Sequence, residues 1–453
     1  MADGENIIIR DEAKLRANIG QLAKYSSLDH GDRAAWSKFL IYVSAQKLGI
    51  IPASIHELYM ARGRGEVASS WTTPAINLRA LTYDCARAAF RSADKINSAL
   101  MIFEIARVEL GWSGISLAEY SACVLAAAIA EGYRGPVFLQ GDHFQISAHL
   151  PIEQEKSSVL RFVRQAVAAG FYNIDIDTST LVDLSQPTVS EQQYQNASIS
   201  AELAAFIRNV QPDGITISIG GEIGEVGGHV STIEELTTYI RLFNQKYAEL
   251  CPNDPGLSKV SIHSGSTHGG TVLADGKIRK AQIDFEAIEK LGRTTREVCG
   301  LGGVVQHGAS TLEYENFDKL VQAGTLEVHL ATSFMTTLFQ LIPGPLRAKM
   351  YQWLDTNYGH ERTGEMSDPQ FYHKTQMHAL APFKRDLWNL SSEVIENLCL
   401  AWESQFDQLF TRLGCTNTRE MVESLIIPAV IPPILEDLGD SVAESPYVDG
   451  LVG

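Results

Sequence analysis

Eight short apolar runs alternate with amphipathic helical stretches from residue 74 to residue 332 and predict an α/β fold: a (β/α)8 TIM barrel with helical N- and C-terminal extensions. Two further observations support it. No glycine-rich dinucleotide fingerprint follows the first run, which argues against a doubly wound open sheet. Polar residues gather where the runs end, and that is the face on which barrels place their chemistry.

Taken in order, residues 1–70 read as a helical N-terminal extension. Trp36, Phe39, Leu40, Val43 and Leu48 fall at roughly helical spacing there. The runs then follow: PAINLR at 74–79, ALMIFEIA at 99–106, GPVFLQ at 135–140 and YNIDID at 172–177. They continue with GITISIGG at 214–221, VSIHSG at 260–265, GGVVQHG at 302–308 and LEVHLAT at 326–332. Between them, residues 80–95, 117–132, 156–170 and 233–247 are the clearest helices. The catalytic barrel is assigned to residues 71–340, close to the ~250 residues such a barrel takes. Residues 341–453 form a helical C-terminal extension. It has a long helix over 391–413 stopped by Gly414, and a proline-broken stretch at 426–434 that cannot continue one. The extensions could cap the barrel, build an oligomer interface or cover the site.

The 453 residues are 45% hydrophobic and 20% charged, an ordinary globular balance, with a net charge of −17 and a pI near 5.2. Such acidity argues against a nucleic-acid partner, which needs basic patches. It serves solubility, and an anionic small substrate stays open because local charge decides that. The six cysteines are scattered without a CxxC pair, which fits a reducing compartment. MADGENIIIRDE lacks the plan of a signal peptide, and no apolar run approaches the ~20 residues of a membrane span. The expectation is a cytoplasmic protein with no membrane partner.

Six of the twelve histidines lie at or just beyond run ends: His143, His229, His263, His268, His307 and His329. Asp142, Asp175, Asp177, Glu222 and Glu225 join them. One such histidine is usually a hydrogen-bonded structural residue. Several from different strands of one barrel converge, and imidazole with carboxylate suits Zn²⁺ while leaving a position open. Gly269 and Gly270 after His268, and Gly308, Ala309 and Ser310 after His307, offer backbone N–H groups and a hydroxyl of the kind that cradles phosphate.

These motifs, in this order over about residues 71–335, resemble the class II (zinc) aldolases of fructose and tagatose bisphosphate. PAINLR is similar to the family's first strand, GDH at 141–143 to its aspartate–histidine motif, and IDTS at 176–179 to strand four. EIG at 222–224 with GG at 227–228, STHGG at 266–270 and VVQHGAS at 304–310 resemble the later motifs. The resemblance implies zinc on His143, His268 and His307, with Glu222 as an alternate or nearby ligand. It implies Asp142 as the proton-transfer group at C4, and Gly269, Gly308, Ser310, Thr332 and Ser333 around phosphate, with Asp177 and His329 also facing the phosphorylated sugar substrate. It further implies glycolytic or related carbohydrate metabolism, a homo-oligomer and room for a monovalent cation beside the zinc. Retro-aldol cleavage leaves an enediolate that a Lewis acid stabilises, whereas class I aldolases use a lysine Schiff base. Neither the sixth nor the seventh run contains a lysine.

The sequence departs from the family in three places. Where the family has a loop glutamate after Gly-Gly, His229 follows Gly228; it could take the acid–base role or simply cap the loop, Glu225 or Glu234 could reach in instead, or the chemistry could be altered. Strand eight, commonly Lys-x-Asn-x-x-Thr-Asp, here carries Glu327, His329, Thr332 and Ser333. The long C-terminal segment brings Arg347, Lys349, Lys384 and Arg385, each a candidate for a second phosphate or a solvated surface cation. The expected reaction is cleavage of fructose 1,6-bisphosphate. Another ketose phosphate such as tagatose 1,6-bisphosphate, or a non-catalytic partner subunit, are the alternatives.

Overall fold

The computed structural model describes residues 7–147, 150–223, 228–265, 273 and 281–439. Among the described residues nine strands run parallel: β1 Ile50–Ala53, β2 Thr73–Asn77, β3 Ile102–Ala106, β4 Gly135–Gln145, β5 Asn173–Asp177, β6 Ser218–Glu222, β7 Lys259–Ile262, β8 Val304–Gln306 and β9 Glu327–Leu330. Strands β2 to β9 pair in sequence, and β9 returns to β2 through Thr73↔Glu327, so the sheet closes into an eight-stranded barrel. Each of the eight runs contributes one of these strands. The helices between them appear as Thr82–Lys95, Leu117–Glu131, Ile152–Ala168 and Ile233–Leu250.

β1 corrects the expectation that residues 1–70 are helical throughout. Helices Glu12–Leu28, Asp32–Lys47 and His56–Gly63 are present, but Ile50–Ala53 is a strand. It pairs with the lower half of β4, Ile50↔Gly135 to Ala53↔Phe138, below the point where β5 begins at Gln140↔Asn173. Asn173 holds this junction, donating to the carbonyls of Ala53 (3.2 Å) and Leu139 (2.9 Å). Four residues are too few to show a strand period, which is why the pattern hides it.

The extensions pack on the barrel through one continuous hydrophobic core. Helix Ser392–Arg412, within one residue of its expected ends, lies against Thr82–Lys95 and Thr332–Leu341. Trp402 Nε1 donates to the Phe334 carbonyl at 3.1 Å, and Lys95 pairs with Glu403 at 2.6 Å. The segment around residues 376–384 reaches the catalytic end of the barrel. There Ala381 N donates to the Trp112 carbonyl, and the His378 ring meets the Trp112 ring. Residues 426–434 are not helical, as the prolines dictate. Among the described residues no single helix is long and apolar enough to cross a membrane. Arg107–Ser113 with Leu117–Glu131 has the length and composition only as a pair bent by 80°.

Candidate active site

β4 solves a geometric problem. Side chains alternate along a strand, so Asp142 and His143 would face opposite sides of the barrel wall. The register with β5 shifts between Gly141 and Phe144, and His143 takes a left-handed φ of 40°. A non-glycine residue is uncommon there, histidine less so than most, and such conformations collect at functional positions. The bulge brings both neighbours to one site, with His143 Nε2 3.7 Å from Asp142 Oδ1.

Across the barrel, His307 at the end of β8 meets His143: its Nδ1 lies 3.0 Å from His143 Nε2. Its Nε2 sits 3.0 Å from Ser261 Oγ and 3.7 Å from Glu222 Oε2 at the end of β6. One donor atom each from His143, Glu222 and His307 lie within 4.8 Å of one another. The outer nitrogen of His143 faces Asp177 Oδ2 at 3.1 Å, and Gln145 and Ser179 hold that carboxylate in turn. Asp177, expected to contact the substrate, is thus placed against His143.

Below this layer the barrel interior is charged. Lys259, the first residue of β7, is fully buried. Its Nζ donates to Gln140 Oε1 (2.7 Å), Asp175 (3.0 Å) and Glu327 Oε1 (2.6 Å). The expectation that the sixth strand lacks a lysine is therefore corrected, because the strand starts one residue before the apolar run. Gly220 makes the contact possible. A Cβ on it would lie 2.3 Å from Asp175 Oδ1 and 3.0 Å from Lys259 Cε. From the closed end, Tyr59 donates to Glu327 Oε2 at 2.5 Å.

His329 joins the two layers. Its Nε2 lies 2.6 Å from Glu327 Oε1, and its Nδ1 is 3.2 Å from both Asp142 Oδ1 and Glu104 Oε2. Burial alone would favour neutral groups throughout. Burial does push Glu104 well above the usual carboxylate range, and raises Asp175 to about 6 despite Lys259. Elsewhere ion pairing wins over burial. His143, His329 and His307 hold Asp142 well below its ordinary value, while Lys259 and His329 draw Glu327 down to about 2. Against the same burial penalty, Asp142 and Asp177 keep His143 well above the usual imidazole value, and Glu104 and Asp142 do so for His329.

The other expected residues are placed as follows. Gly308 has a φ of 70° at the start of the turn Ala309–Thr311, where a side chain would be strained. Ser310 Oγ accepts from Ala331 N at 2.7 Å, next to the helix Thr332–Leu341 that begins with Thr332 and Ser333. Those three hydroxyl residues line a cavity of about 230 Å³ with Thr336, Thr337 and Gln405, and no lysine or arginine is among its described lining residues. His229 is half-exposed and pairs with Glu235 at 3.0 Å. His268 and Gly269 lie outside the described residues. All four extension cations are engaged elsewhere: Arg347 on carbonyls of Phe339 and Gln340, Lys349 on Asp386, Lys384 on Glu119, and Arg385 on the Leu28 carbonyl.

A closed parallel barrel with paired histidines and carboxylates at the C-terminal strand ends makes a candidate metal and acid–base site, and comparison with known proteins supplies the family. Residues 68–385 match the family described as fructose-bisphosphate aldolase class-II, and the chain belongs to that family. No curated protein matches the sequence. Among solved structures, a fructuronate-tagaturonate epimerase UxaE from Cohnella laeviribosi is similar at a TM-score of 0.58 and 12% identity, covering 87% of this chain and 90% of that one. A probable tagatose 6 phosphate kinase from Sinorhizobium meliloti 1021 is similar at 0.52 and 16%, covering 81% and 97%. A fructose-bisphosphate aldolase from Campylobacter jejuni is similar at 0.48 and 15%, covering 82% and 96%. At these identities the likeness is one of fold.

Proposed function

We propose that the chain is a zinc-dependent aldolase that reversibly cleaves a ketose bisphosphate, fructose 1,6-bisphosphate first among them, to dihydroxyacetone phosphate and an aldehyde phosphate. The observation that carries the reading is the pair of imidazole nitrogens of His143 and His307, 3.0 Å apart beside Glu222 and Asp142. Two nitrogens on one tetrahedral zinc, each bonded at about 2.0–2.1 Å, lie roughly 3.3 Å apart, so the donor set fits such an ion. The carboxylate behind His143 adds the outer support that zinc histidines ordinarily have. His143, His307 and Glu222, with His268, would hold the metal; bound there it would supply Lewis-acid stabilisation of the enediolate.

The chain's own residues do the rest. Asp142, held as the anion, accepts the C4 hydroxyl proton as the C3–C4 bond breaks and returns it in the reverse direction. Thr332 and Ser333, at the start of a helix, hold the phosphate with Gly308 and Ser310 of the neighbouring turn, and the family resemblance adds Gly269. His229 exchanges the proton at the ketose carbon, with Glu235 as its partner. A monovalent cation beside the metal, a homo-oligomeric assembly and a cytoplasmic setting belong to the same proposal. The test is cleavage of fructose 1,6-bisphosphate by the purified chain before and after EDTA, with zinc added back. Cleavage that persists without metal refutes the proposal.

One observation favours a second reading. The cavity beside Ser310 and Thr332 has no cation among its described lining residues, and the strand-eight positions carry Glu327 and Ser333. A sugar acid without phosphate would suit such a site, and the Cohnella protein, whose similarity extends over 87% of this chain, is named for two such acids. Ketoses epimeric at C4 interconvert when the aldehyde fragment of this same cleavage turns over before re-adding. Incubating the chain with fructuronate and with fructose 1,6-bisphosphate, and reading the products by NMR, separates epimerisation from cleavage.

A further inference from the structure

We propose that His329 is a positioning residue that fixes the carboxylate of Asp142, and is itself fixed from below by Glu327 and Lys259. The proposal rests on the reading of Asp142 as the proton acceptor and adds to it what holds that acceptor in place. The geometry forms one continuous path. Lys259 is pinned by Gln140 and Asp175 and donates to Glu327 Oε1 at 2.6 Å, while Tyr59 secures the other Glu327 oxygen. Glu327 Oε1 lies 2.6 Å from His329 Nε2, and Nδ1 on the far side of the ring lies at ion-pair distance, 3.2 Å, from both Asp142 Oδ1 and Glu104 Oε2. The Asp142 contact is shorter than the 3.7 Å from the same oxygen to His143 Nε2.

Three features support this role. Glu327 and Lys259 are 0% exposed, so the path below His329 is closed to solvent. Nε2 is hydrogen-bonded with Glu327, and Nδ1, which makes no hydrogen bond of its own among the described residues, lies at ion-pair distance, 3.2 Å, from both Asp142 Oδ1 and Glu104 Oε2. The ring also packs 4.1 Å from the His307 ring, so it sets Asp142 relative to His307 as well. An asparagine here has no second ring nitrogen to span from Glu327 to Asp142.

The test uses the full chain loaded with zinc, as wild type, H329N, E327Q and the double variant. Two reactions are followed: cleavage of fructose 1,6-bisphosphate, and exchange of the carbon-bound protons of dihydroxyacetone phosphate in D₂O, which has no C4 hydroxyl to deprotonate. H329N is expected to lower the kcat of cleavage roughly 10- to 100-fold, the usual effect of losing an orienting partner. KM, zinc content and proton exchange should stay near wild type. E327Q should act in the same direction but less, and adding it to H329N should cost little more, because it works through the same ring. Unchanged cleavage in H329N overturns the proposal. So does a parallel loss of cleavage, exchange and zinc, which would mark a structural role. If the wild type neither cleaves nor exchanges, the aldolase reading falls, and crystal structures of wild type and H329N decide positioning separately. An Asp142 carboxylate that rotates in the variant upholds it; one that keeps its place overturns it.

Discussion

Replacing Lys259 with methionine removes the ammonium that pairs with Asp175 and Glu327. The substitution keeps most of the apolar stem and deletes three hydrogen bonds, of 2.6, 2.7 and 3.0 Å, from a fully buried position. Breaking one partner out of a buried ion pair costs about 3–5 kcal/mol, since the remaining charge is left uncompensated. The carboxylates can escape part of that by taking protons, so the cost depends on pH in a definite sense. In the wild type Glu327 is depressed to about 2 from 4.5. Its stabilisation is present above the unfolded value and is lost as pH falls toward 2. In Lys259→Met the burial that already lifts Asp175 to about 6 acts without its counter-charge, so its folded pKa rises further above the unfolded 3.8. An acid raised in this way loses folded-state stability as pH rises, by about 1.4 kcal/mol per unit and proton. The gap between variant and wild type should therefore widen from pH 5 to pH 8. Urea unfolding followed by tryptophan fluorescence at the two pH values reads it directly, and other titrating groups cancel in the difference. A gap below about 1 kcal/mol at pH 8, or one of equal size at both pH values, would refute the counter-ion argument.

Three further outcomes follow from the same geometry. Asp177→Asn turns an amide N–H toward one of the donors on His143, Gln145 or Ser179, so zinc affinity should fall roughly 10- to 100-fold; competition with a chelator of known affinity measures it, and unchanged affinity would detach Asp177 from the metal. Because His143 holds its proton above the ordinary imidazole value when no metal is bound, zinc bound as proposed would have to expel that proton. Calorimetry in buffers of different ionisation enthalpy should show at least one proton released at neutral pH, and affinity rising as pH climbs toward the raised value; zero release contradicts the assignment. Lys259 is charged, fully buried and ion-paired, so it cannot form a Schiff base. Borohydride with dihydroxyacetone phosphate should leave the mass of the chain unchanged, and an adduct on Lys259 would replace the metal route with a covalent one.

The barrel was legible because its strands and helices differ in period over whole segments. All eight runs produced strands, and helix ends such as Ser391 and Thr232 carry N-cap side chains that the sequence displays openly. β1 was not legible. Its four residues lie between two helices and find their partner in the lower half of β4, more than 80 residues away, so only the closed barrel creates the edge it fills. Nothing local in IIPA distinguishes a strand from a linker.

The upper layer of the site was legible for the same reason as the barrel: Asp142, His143, Glu222 and His307 stand at run ends, where loops carry chemistry. The lower layer left a signal of a different kind. Strands buried on both faces normally read as continuous apolar runs, yet here polar residues recur with period two: Asn173, Asp175 and Asp177 on β5, Glu327 and His329 on β9, Gln140 and Asp142 on β4. The alternation marks the inward face of each strand, because only that face can supply partners for so many buried charges. Such a pattern says that the interior is polar without saying which charge meets which. Lys259 shows why. It sits at the first position of β7, outside the apolar run that advertises the strand, and reaches Asp175 only because Gly220 between them has no side chain. Pairing across a barrel is set by register, which one chain's local pattern does not contain. The charges that hold Asp142 in place therefore become visible only once β5, β6, β7 and β9 are set side by side.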